Sequence, residues 1–268
     1  MRTLNIAHRG GAQARPENSL AAFGYAATCG YDGVELDVQL SRDGEVVVFH
    51  DFHLKPEICR DENGRWLAAP TPRIKDLTLA ELKRIDIGRG DPASAYARRH
   101  PHTVWRDGER IPTLDEVVSV AEKVRAPFTL FVELKTSAAE PDLSALPAEL
   151  AERVLAVLSA RDYLKRSVLI GFDWRGLVHA KRIAPEVRCW FSTMTFDGPS
   201  VLHQIKGQGG DGWFPAFAYA TEETARAARS LGLKVGAWTV DDPAEMRRLI
   251  ALGLDAICTD RPELLTAL

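Results

Sequence analysis

Short apolar runs alternate with longer amphipathic stretches along most of this chain of 268 residues. The runs are rich in β-branched or aromatic residues, which is typical of buried strands. They are LNIA, GVELDV, FTLFVEL, SVLIGF, VRCWF, GWF, LKVGAW and DAIC. Between them, apolar residues recur at helical spacing, for example in ENSLAAFGYAA, LDEVVSVAEKV, ELAERVLAVLSA and EETARAARSLG. Eight strand–helix units over about 250 residues predict an α/β fold of the TIM-like (β/α)₈ barrel type.

An open, doubly wound sheet is the structural alternative, but no Gly-rich dinucleotide turn follows LNIA. Capping boxes at Thr78 with Glu81 and at Thr113 with Glu116 predict two helix starts. Glu17 and Asn18 are interpreted as the start of the first helix, with orientation of Arg9 by Glu17 as the alternative.

A ninth strand, VVVF, is predicted to run antiparallel to GVELDV. The QLSRDG turn between them is too short for the crossover of roughly a dozen residues that a parallel neighbour needs. The return brings His50 level with Glu35 and Asp37, which project from one face of GVELDV. Two carboxylates on one face are costly unless a cation holds them. With His8 and Arg9 closing the first strand, this arrangement predicts a site for a phosphate ester.

The segment from about residue 52 to 111 interrupts the alternation. It is rich in Pro, Arg and Asp, and TLAELKRID is its one clear helix. Trp66, Tyr96 and Trp105 favour a packed cap over a flexible linker. We therefore expect residues 1–268 to form a single barrel domain with an inserted cap, whose aromatic residues either line a headgroup site or pack the cap.

Charge and composition narrow the range of partners. The net charge of −3 gives no reason to expect nucleic acid or an anionic membrane. The four cysteines form no C-x-x-C pair, so free thiols in a reducing compartment are expected. His8 follows Met1 too closely for a signal peptide, and no apolar stretch is long enough to span a membrane. We expect a cytoplasmic protein without stable membrane association; its oligomeric state is left open.

Further polar residues follow the predicted strands. FVELKT ends with Glu133 and Lys135 on one face, Trp238 follows LKVGA, and Asp260 lies just beyond the last strand. In chain order, AHRGG, PENSLAAF, GVELDVQLSRDGEVVVFHD, TLAELKRID, IPTLDEV, FVELK, WTV and CTDRP together resemble the glycerophosphodiester phosphodiesterase family in its cytoplasmic bacterial form. Each motif alone is weak, but the ordered series spans nearly the whole chain.

This resemblance implies a TIM-like barrel, one divalent cation, and hydrolysis of glycerophosphodiesters to glycerol 3-phosphate and an alcohol. His8 and His50 correspond to the family's acid–base pair. The positions of the metal ligands fall on Glu35, Asp37 and Glu133. The remaining matches are to substrate-binding positions: Arg9 and Lys135 for the phosphate, Trp238 for the glycerol pocket and Phe172 for a retained aromatic. At Ile170-Gly171-Phe172 a hydroxyl usual in the family is lost.

The chemistry of a phosphodiester independently suits these residue types. Its negative charge repels nucleophiles, so a hard cation on carboxylate oxygens must neutralise it, and oxygen ligands favour Mg²⁺ or Ca²⁺. Histidine can take or give a proton near neutral pH. Structural roles stay open: Glu35 and Asp37 could form buried salt bridges, Glu133 could pair only with Lys135, and Trp238 could be core. A related phospholipase D acting on lysolipids and a non-catalytic phosphodiester-binding barrel are the functional alternatives.

Overall fold

The computed structural model describes residues 2–124 and 127–268. Its sheet contains eight parallel strands that close into a barrel, because β1 pairs with both β2 and β9. One more strand, β3, pairs antiparallel with β2, as the short turn predicts. The strands are β1 Leu4–Ala7, β2 Gly33–Leu40, β3 Val46–Val48, β4 Thr129–Leu134, β5 Ser167–Gly171, β6 Arg188–Thr193, β7 Gly212–Pro215, β8 Lys234–Ala237 and β9 Ala256–Thr259. Every predicted strand is present, and the TIM-like barrel is confirmed.

Helices connect the strands and cover the barrel wall. They are α1 Leu20–Thr28, α2 Leu79–Leu82, α3 Ala95–Arg99, α4 Leu114–Ala121, α5 Pro147–Ala160, α6 Trp174–Ile183, α7 Ser200–Gly207, α8 Glu222–Ser230, α9 Pro243–Ala251 and α10 Pro262–Thr266. Both predicted capping boxes are confirmed, at Thr78 with Glu81 before α2 and at Thr113 with Glu116 before α4. Helices α1 and α4–α10 pack their apolar faces on the strands, so the main core lies between wall and helices.

A second, smaller core fills the barrel interior. Alternate residues of the strands point inward, and among them Phe131 packs edge-on against Trp190, with ring centroids 5.2 Å apart. Above this layer, at the carboxyl ends of the strands, the inward residues become polar. The interior of the barrel is therefore apolar, and charged side chains meet at its carboxyl end.

The start of α1 differs from the prediction. The helix begins at Leu20, and the hydroxyl of Ser19 caps it by accepting from the backbone N–H of Ala22. Asn18 has a positive φ of 53°, which a helical residue does not adopt. Glu17 and Asn18 therefore do not start the helix. Their side chains instead enter the polar end of the barrel.

Residues 52–111 leave the barrel between β3 and α4 and build a separate hydrophobic cluster around Ile58, Ile74 and Tyr96. This segment contains two short helices, α2 and α3, rather than the one that the sequence predicts. Helix α3 has five residues, too short for a clear periodic signal. Hydrogen bonds from Thr103 to Ala12 O and from Arg73 to Asp142 O attach the segment to loops after β1 and β4, at the polar end of the barrel.

Candidate active site

The turn after β1 places His8 and Arg9 at the mouth of the barrel. Residues His8–Gly10 form a single 3₁₀ turn in which Arg9 has a φ of 50°. Gly10 follows with a φ of 85°, and a Cβ there would lie only 2.6 Å from the Cβ of Ala22 on α1. Only glycine combines that backbone conformation with such a close approach. The turn can therefore lie flat against α1 and direct His8 and Arg9 into the barrel.

Three carboxylates meet beside this turn. Glu35 and Asp37 lie on β2, and Glu133 lies on β4 directly opposite Asp37 in the strand register. One oxygen from each lies within 4.8 Å of the others. Glu35 and Asp37 are almost completely buried, with exposed fractions of 2% and 1%. Burial, together with the neighbouring charge of Asp37, raises the pKa of Glu35 to about 8.

The residues present fit a divalent cation. Among the described residues, Glu35 Oε1 is a buried carboxylate oxygen without any hydrogen-bond partner. A buried carboxylate oxygen is costly unless a donor or a metal compensates for its lost hydration. The donor set consists of carboxylate oxygens, which are hard ligands of the kind that Mg²⁺ and Ca²⁺ prefer.

Two cations border the acidic trio. Arg9 Nε lies 3.4 Å from Asp37 Oδ2, and Lys135 Nζ lies 2.8 Å from Glu133 Oε1 and 3.6 Å from Asp37 Oδ1. Burial alone would raise the pKa of Asp37, but the charges of His50, Arg9 and Lys135 outweigh it and hold that pKa below its usual range. The ion pair between Lys135 and Glu133, left open by the sequence, is present. It places the ammonium at the edge of the candidate metal site.

His8 is held by a residue whose role the sequence did not indicate. Its Nδ1 lies 2.7 Å from Asp260 Oδ1, while its Nε2 faces Glu35 Oε2 at 3.8 Å. Burial opposes the charged imidazolium, but the charge of Asp260 and its hydrogen bond dominate and raise the pKa of His8 to about 9. Asp260 was visible in the sequence only as a polar residue after the last strand. It becomes a partner of His8 because β9 pairs with β1.

His50 has an equivalent arrangement within its own hairpin. Its Nδ1 lies 2.5 Å from Oδ1 of the next residue, Asp51. Lys55 Nζ lies 4.0 Å from the other oxygen of Asp51. Both histidines thus have Nδ1 on a carboxylate, which leaves Nε2 of each ring as the nitrogen available to a substrate.

Glu17 and Asn18 support the site from beneath. Arg9 Nη1 donates to Glu17 Oε1 at 3.0 Å, and Asn18 Nδ2 donates to Asp37 Oδ2 at 2.8 Å. Orientation of Arg9 by Glu17, the alternative offered by the sequence, is the arrangement present. The second oxygen of Glu17 accepts a 2.7 Å hydrogen bond from the hydroxyl of Tyr96, which belongs to the inserted segment. Sequence reasoning missed this contact, since the two residues are 79 positions apart.

An aromatic pocket adjoins the charged cluster. Phe172 and Trp238 pack edge-on with ring centroids 5.1 Å apart. Both line a narrow pocket that His8, Glu35 and Glu133 also line. Phe172 is 37% exposed, although most large apolar residues here are buried. The pocket can therefore offer an apolar surface to a small group attached to a phosphate.

Trp66 and Trp105 lie away from this pocket. Trp105 packs against Tyr96 within the inserted segment, with ring centroids 6.3 Å apart, and Trp66 lies beneath the guanidinium of Arg60. Neither belongs to the residues that line the aromatic pocket. Of the two roles that the sequence left open, packing of the segment fits these contacts.

No helix in the described parts of the chain combines the length and the apolar character needed to cross a membrane.

Known proteins resemble this chain in both sequence and fold. The profile of the Glycerophosphoryl diester phosphodiesterase family matches residues 8–264. A glycerophosphodiester phosphodiesterase of Caldanaerobacter subterraneus subsp. tengcongensis is 31% identical, over 99% of this chain and 97% of the relative. The crystal structure of a putative glycerophosphoryl diester phosphodiesterase from Silicibacter pomeroyi is 32% identical, with a TM-score of 0.92 over 99% of this chain and 93% of that chain.

A further structure contains a reaction product. It is an Oleispira antarctica phosphodiesterase in complex with the product sn-glycerol-3-phosphate, 26% identical, with a TM-score of 0.79 over 99% of this chain and 96% of that chain. Fold, site and matches together define an enzyme of the phosphoric diester hydrolase class on a (β/α)₈ barrel. Within that class the chain belongs to the glycerophosphoryl diester phosphodiesterase family, and the family predicted from the motifs is confirmed.

Proposed function

We propose that this protein hydrolyses glycerophosphodiesters to glycerol 3-phosphate and an alcohol, using one divalent cation and two histidines. The observation that carries the proposal is the convergence of three carboxylates with two imidazoles that are each held at Nδ1 by an aspartate. The relative from Oleispira antarctica, crystallised with sn-glycerol-3-phosphate, supports the choice of substrate.

Glu35, Asp37 and Glu133 would hold the cation, either Mg²⁺ or Ca²⁺. When bound, it would neutralise phosphate charge and polarise the phosphoryl oxygen, as a Lewis acid does. Arg9 and Lys135 would add positive charge at the same place. Because both already pair with carboxylates of the site, they are pre-oriented before a substrate enters.

The two histidines would share the proton transfers. One imidazole accepts a proton from the attacking hydroxyl, which belongs either to water or to the glycerol part of the substrate. The bond from phosphorus to the departing alcohol then breaks, and the other imidazole gives its proton to the leaving oxygen. If the glycerol hydroxyl attacks, the resulting cyclic phosphate is opened by water with the proton roles reversed. Acid–base help of this kind is typically worth ~10²–10⁴ in rate.

The remaining residues would bind the two ends of the substrate. Phe172 and Trp238 would contact the glycerol, while residues 52–111 would act as a cap over the side where the alcohol leaves. Attachment of that segment to the loops after β1 and β4 supports this placement. In this proposal the chain is a single barrel domain with an inserted cap; a cytoplasmic location stays a prediction from the sequence.

A substrate panel tests the proposal. Glycerophosphocholine, glycerophosphoethanolamine, glycerophosphoglycerol and lysophosphatidylcholine are assayed with Mg²⁺, with Ca²⁺ and with EDTA. We expect metal-dependent release of glycerol 3-phosphate from the first three. Turnover of lysophosphatidylcholine alone would point to the related phospholipase D activity instead. Binding of these esters without turnover of any would leave only a phosphodiester-binding role.

A further inference from the structure

Ser192 carries a buried hydroxyl that the proposed reaction leaves unused. Only 2% of the residue is exposed, and its Oγ has no hydrogen-bond partner among the described residues. A hydroxyl in that position loses its hydration on folding without regaining a hydrogen bond. Such a group needs an explanation, and a ligand that completes its hydrogen bonding is one.

The hydroxyl lies in the aromatic pocket. Ser192 is on β6, which pairs in parallel register with β5 so that Gly171 lies opposite Phe191. One residue further along the chain in each case, Phe172 and Ser192 both line the pocket, as do His8 and Glu35. Ser192 is therefore on the same pocket wall as the aromatic residues proposed to contact glycerol.

The size of the pocket restricts what can reach Ser192. The cavity volume is about 20 Å³. That is little more than the roughly 10–15 Å³ that one water needs. A single hydroxyl-bearing carbon fits that scale, whereas a trimethylammonium headgroup does not. The pocket thus suits a small polar end group.

The neighbouring strand cannot provide the same contact. At the end of β5 the chain has Ile170 and Gly171, neither of which has a side-chain hydroxyl. Outside the charged cluster, two other groups in the pocket can hydrogen-bond. Trp238 Nε1 already donates to Phe214 O at 3.0 Å, and the thiol of Cys258 is a weak donor and acceptor. Ser192 is thus the hydroxyl on this wall that can pair strongly with an uncharged alcohol.

We propose that Ser192 is a specificity-determining residue that hydrogen-bonds the terminal hydroxyl of the substrate's glycerol group. The inference rests on the proposed function, because it takes glycerol phosphate as the part of the substrate that enters the aromatic pocket. It adds a residue that neither the family's motifs nor the charged cluster indicates.

Calorimetric titration of the Mg²⁺-loaded enzyme tests this assignment with two ligands. One is sn-glycerol-3-phosphate, and the other is the 1-phosphate of propane-1,2-diol, which lacks the terminal hydroxyl. Wild type should bind the glycerol ester roughly 3- to 10-fold more tightly, as expected for one neutral hydrogen bond. In Ser192→Ala this ratio should fall to about one, through weaker binding of the glycerol ester alone.

Ser167→Ala is a matched control. Ser167 is also a buried strand serine, but its hydroxyl donates to Tyr163 O at 3.0 Å, away from the pocket. It should keep the wild-type ratio and lose Tm, whereas Ser192→Ala should keep or gain Tm without ligand, because no protein hydrogen bond is lost. Ser192→Cys, which restores bulk with a weaker donor, should give an intermediate ratio.

An unchanged ratio in folded Ser192→Ala would overturn the assignment, as would failure of the wild type to bind glycerol 3-phosphate. The two proposals can fail separately. A wild type that hydrolyses no glycerophosphodiester would overturn the proposed function, while the dissociation constants would still decide the role of Ser192.

Discussion

Asp260 Oδ1 lies 2.7 Å from Nδ1 of His8, so the last strand of the barrel orients the imidazole that follows the first strand. The two residues are 252 positions apart and meet because β1 and β9 are paired. The carboxylate fixes the ring and stabilises its charged form. It is a positioning residue for the proposed proton transfer.

Asp260→Asn should therefore lower kcat by roughly 10-fold or more, a part of the ~10²–10⁴ that acid–base catalysis provides. Removing the negative charge lowers the pKa of His8 from its raised value of about 9. The limb of the pH–rate profile that reports His8 should move to lower pH. The pH dependence of kcat/KM measures this shift.

Glu152→Gln is the control for that variant. Glu152 Oε1 lies 2.7 Å from Nε2 of His179, in a carboxylate–imidazole pair on the outer helices. This substitution should change neither kcat nor the pH profile. A profile for Asp260→Asn that coincides with wild type would show that Asp260 does not act through His8.

Replacing one carboxylate of the acidic trio should affect thermal stability differently with and without metal. In the metal-free protein, burial and repulsion disfavour the ionised form of Glu35, so Glu35→Gln should keep or raise Tm. Wild type should gain Tm on addition of Mg²⁺ or Ca²⁺, since a ligand that binds only the folded state stabilises it. The variant should lose most of that gain. Thermal unfolding with EDTA and with added metal measures both effects.

Hydrolytic activity should also depend on the metal. EDTA should abolish hydrolysis by wild type, and added Mg²⁺ or Ca²⁺ should restore it. Full activity in EDTA would show that hydrolysis does not require a divalent cation. If Glu35→Gln gained as much Tm from metal as wild type does, Glu35 would not be a ligand of the cation.

Tyr96 connects the inserted segment to Arg9, the residue proposed to bind the phosphate. Its hydroxyl donates to Glu17, which in turn accepts from Arg9. Tyr96→Phe should leave Glu17 underbonded and Arg9 less firmly placed, and raise KM about 3- to 10-fold with a smaller change in kcat. Steady-state kinetics on a glycerophosphodiester measure the split.

Tyr163→Phe separates positioning from stability. The hydroxyl of Tyr163 is also buried and donates to Phe128 O at 2.8 Å, on the far side of the barrel wall. Tyr163→Phe should cost about 1 kcal/mol for one neutral hydrogen bond, and Tyr96→Phe about 1.5–3 kcal/mol because its acceptor is a carboxylate. Equal values of KM for the two variants would mean that Tyr96 only stabilises the fold.

Asp173, which is not one of the proposed site residues, should stabilise the fold in a pH-dependent way. It caps α6, and although burial would raise its pKa, hydrogen bonds from Arg175 and Thr136 lower that pKa overall. Because the folded pKa is depressed, the stabilisation is complete above the unfolded pKa and is lost as pH falls through the folded one. Asp173→Asn should lose about 1 kcal/mol at pH 7 and little near pH 2. Urea unfolding at both pH values tests this, and an equal loss at both would exclude a charge effect.

The strands and the charged cluster could be predicted because they depend on local pattern. Alternation placed Glu35 and Asp37 on one face, and the length of one turn was enough to predict that β3 returns antiparallel beside them. The partners of these residues could not be predicted in the same way. Asp260 needs barrel closure to reach His8, and Tyr96 comes from an irregular insertion.

Glu17 and Asn18 show a different limit. They precede an apolar helix and carry the residue types of a helix start, so local propensity assigned them to capping. In the structure, the burial of Arg9 and Asp37 creates a stronger need for hydrogen-bond partners than the helix end, which Ser19 already satisfies. The tertiary requirement therefore overrode the local signal.

The two tryptophans Trp105 and Trp238 should respond differently to truncation. Trp105 packs in the inserted segment against Tyr96 and against Gly90, where a Cβ would approach its ring to 3.0 Å. Trp105→Ala should therefore cost stability, about 1–3 kcal/mol, because Trp105 is only partly buried. Trp238 instead lines the pocket beside Phe172. Trp238→Ala should mainly raise KM for glycerophosphodiesters, whichever alcohol they carry.

The ratio of kcat/KM for glycerophosphocholine to that for glycerophosphoglycerol distinguishes these roles from control of the leaving group. Both variants, assayed under conditions where they are folded, should keep the wild-type ratio. Trp105 packs within the inserted segment, and Trp238 is proposed to contact the glycerol that the two substrates share. A ratio altered several-fold in Trp105→Ala alone would show that the inserted segment selects the alcohol through this residue. The choice of headgroup would then depend on the packing of the cap rather than on the residues that line the barrel.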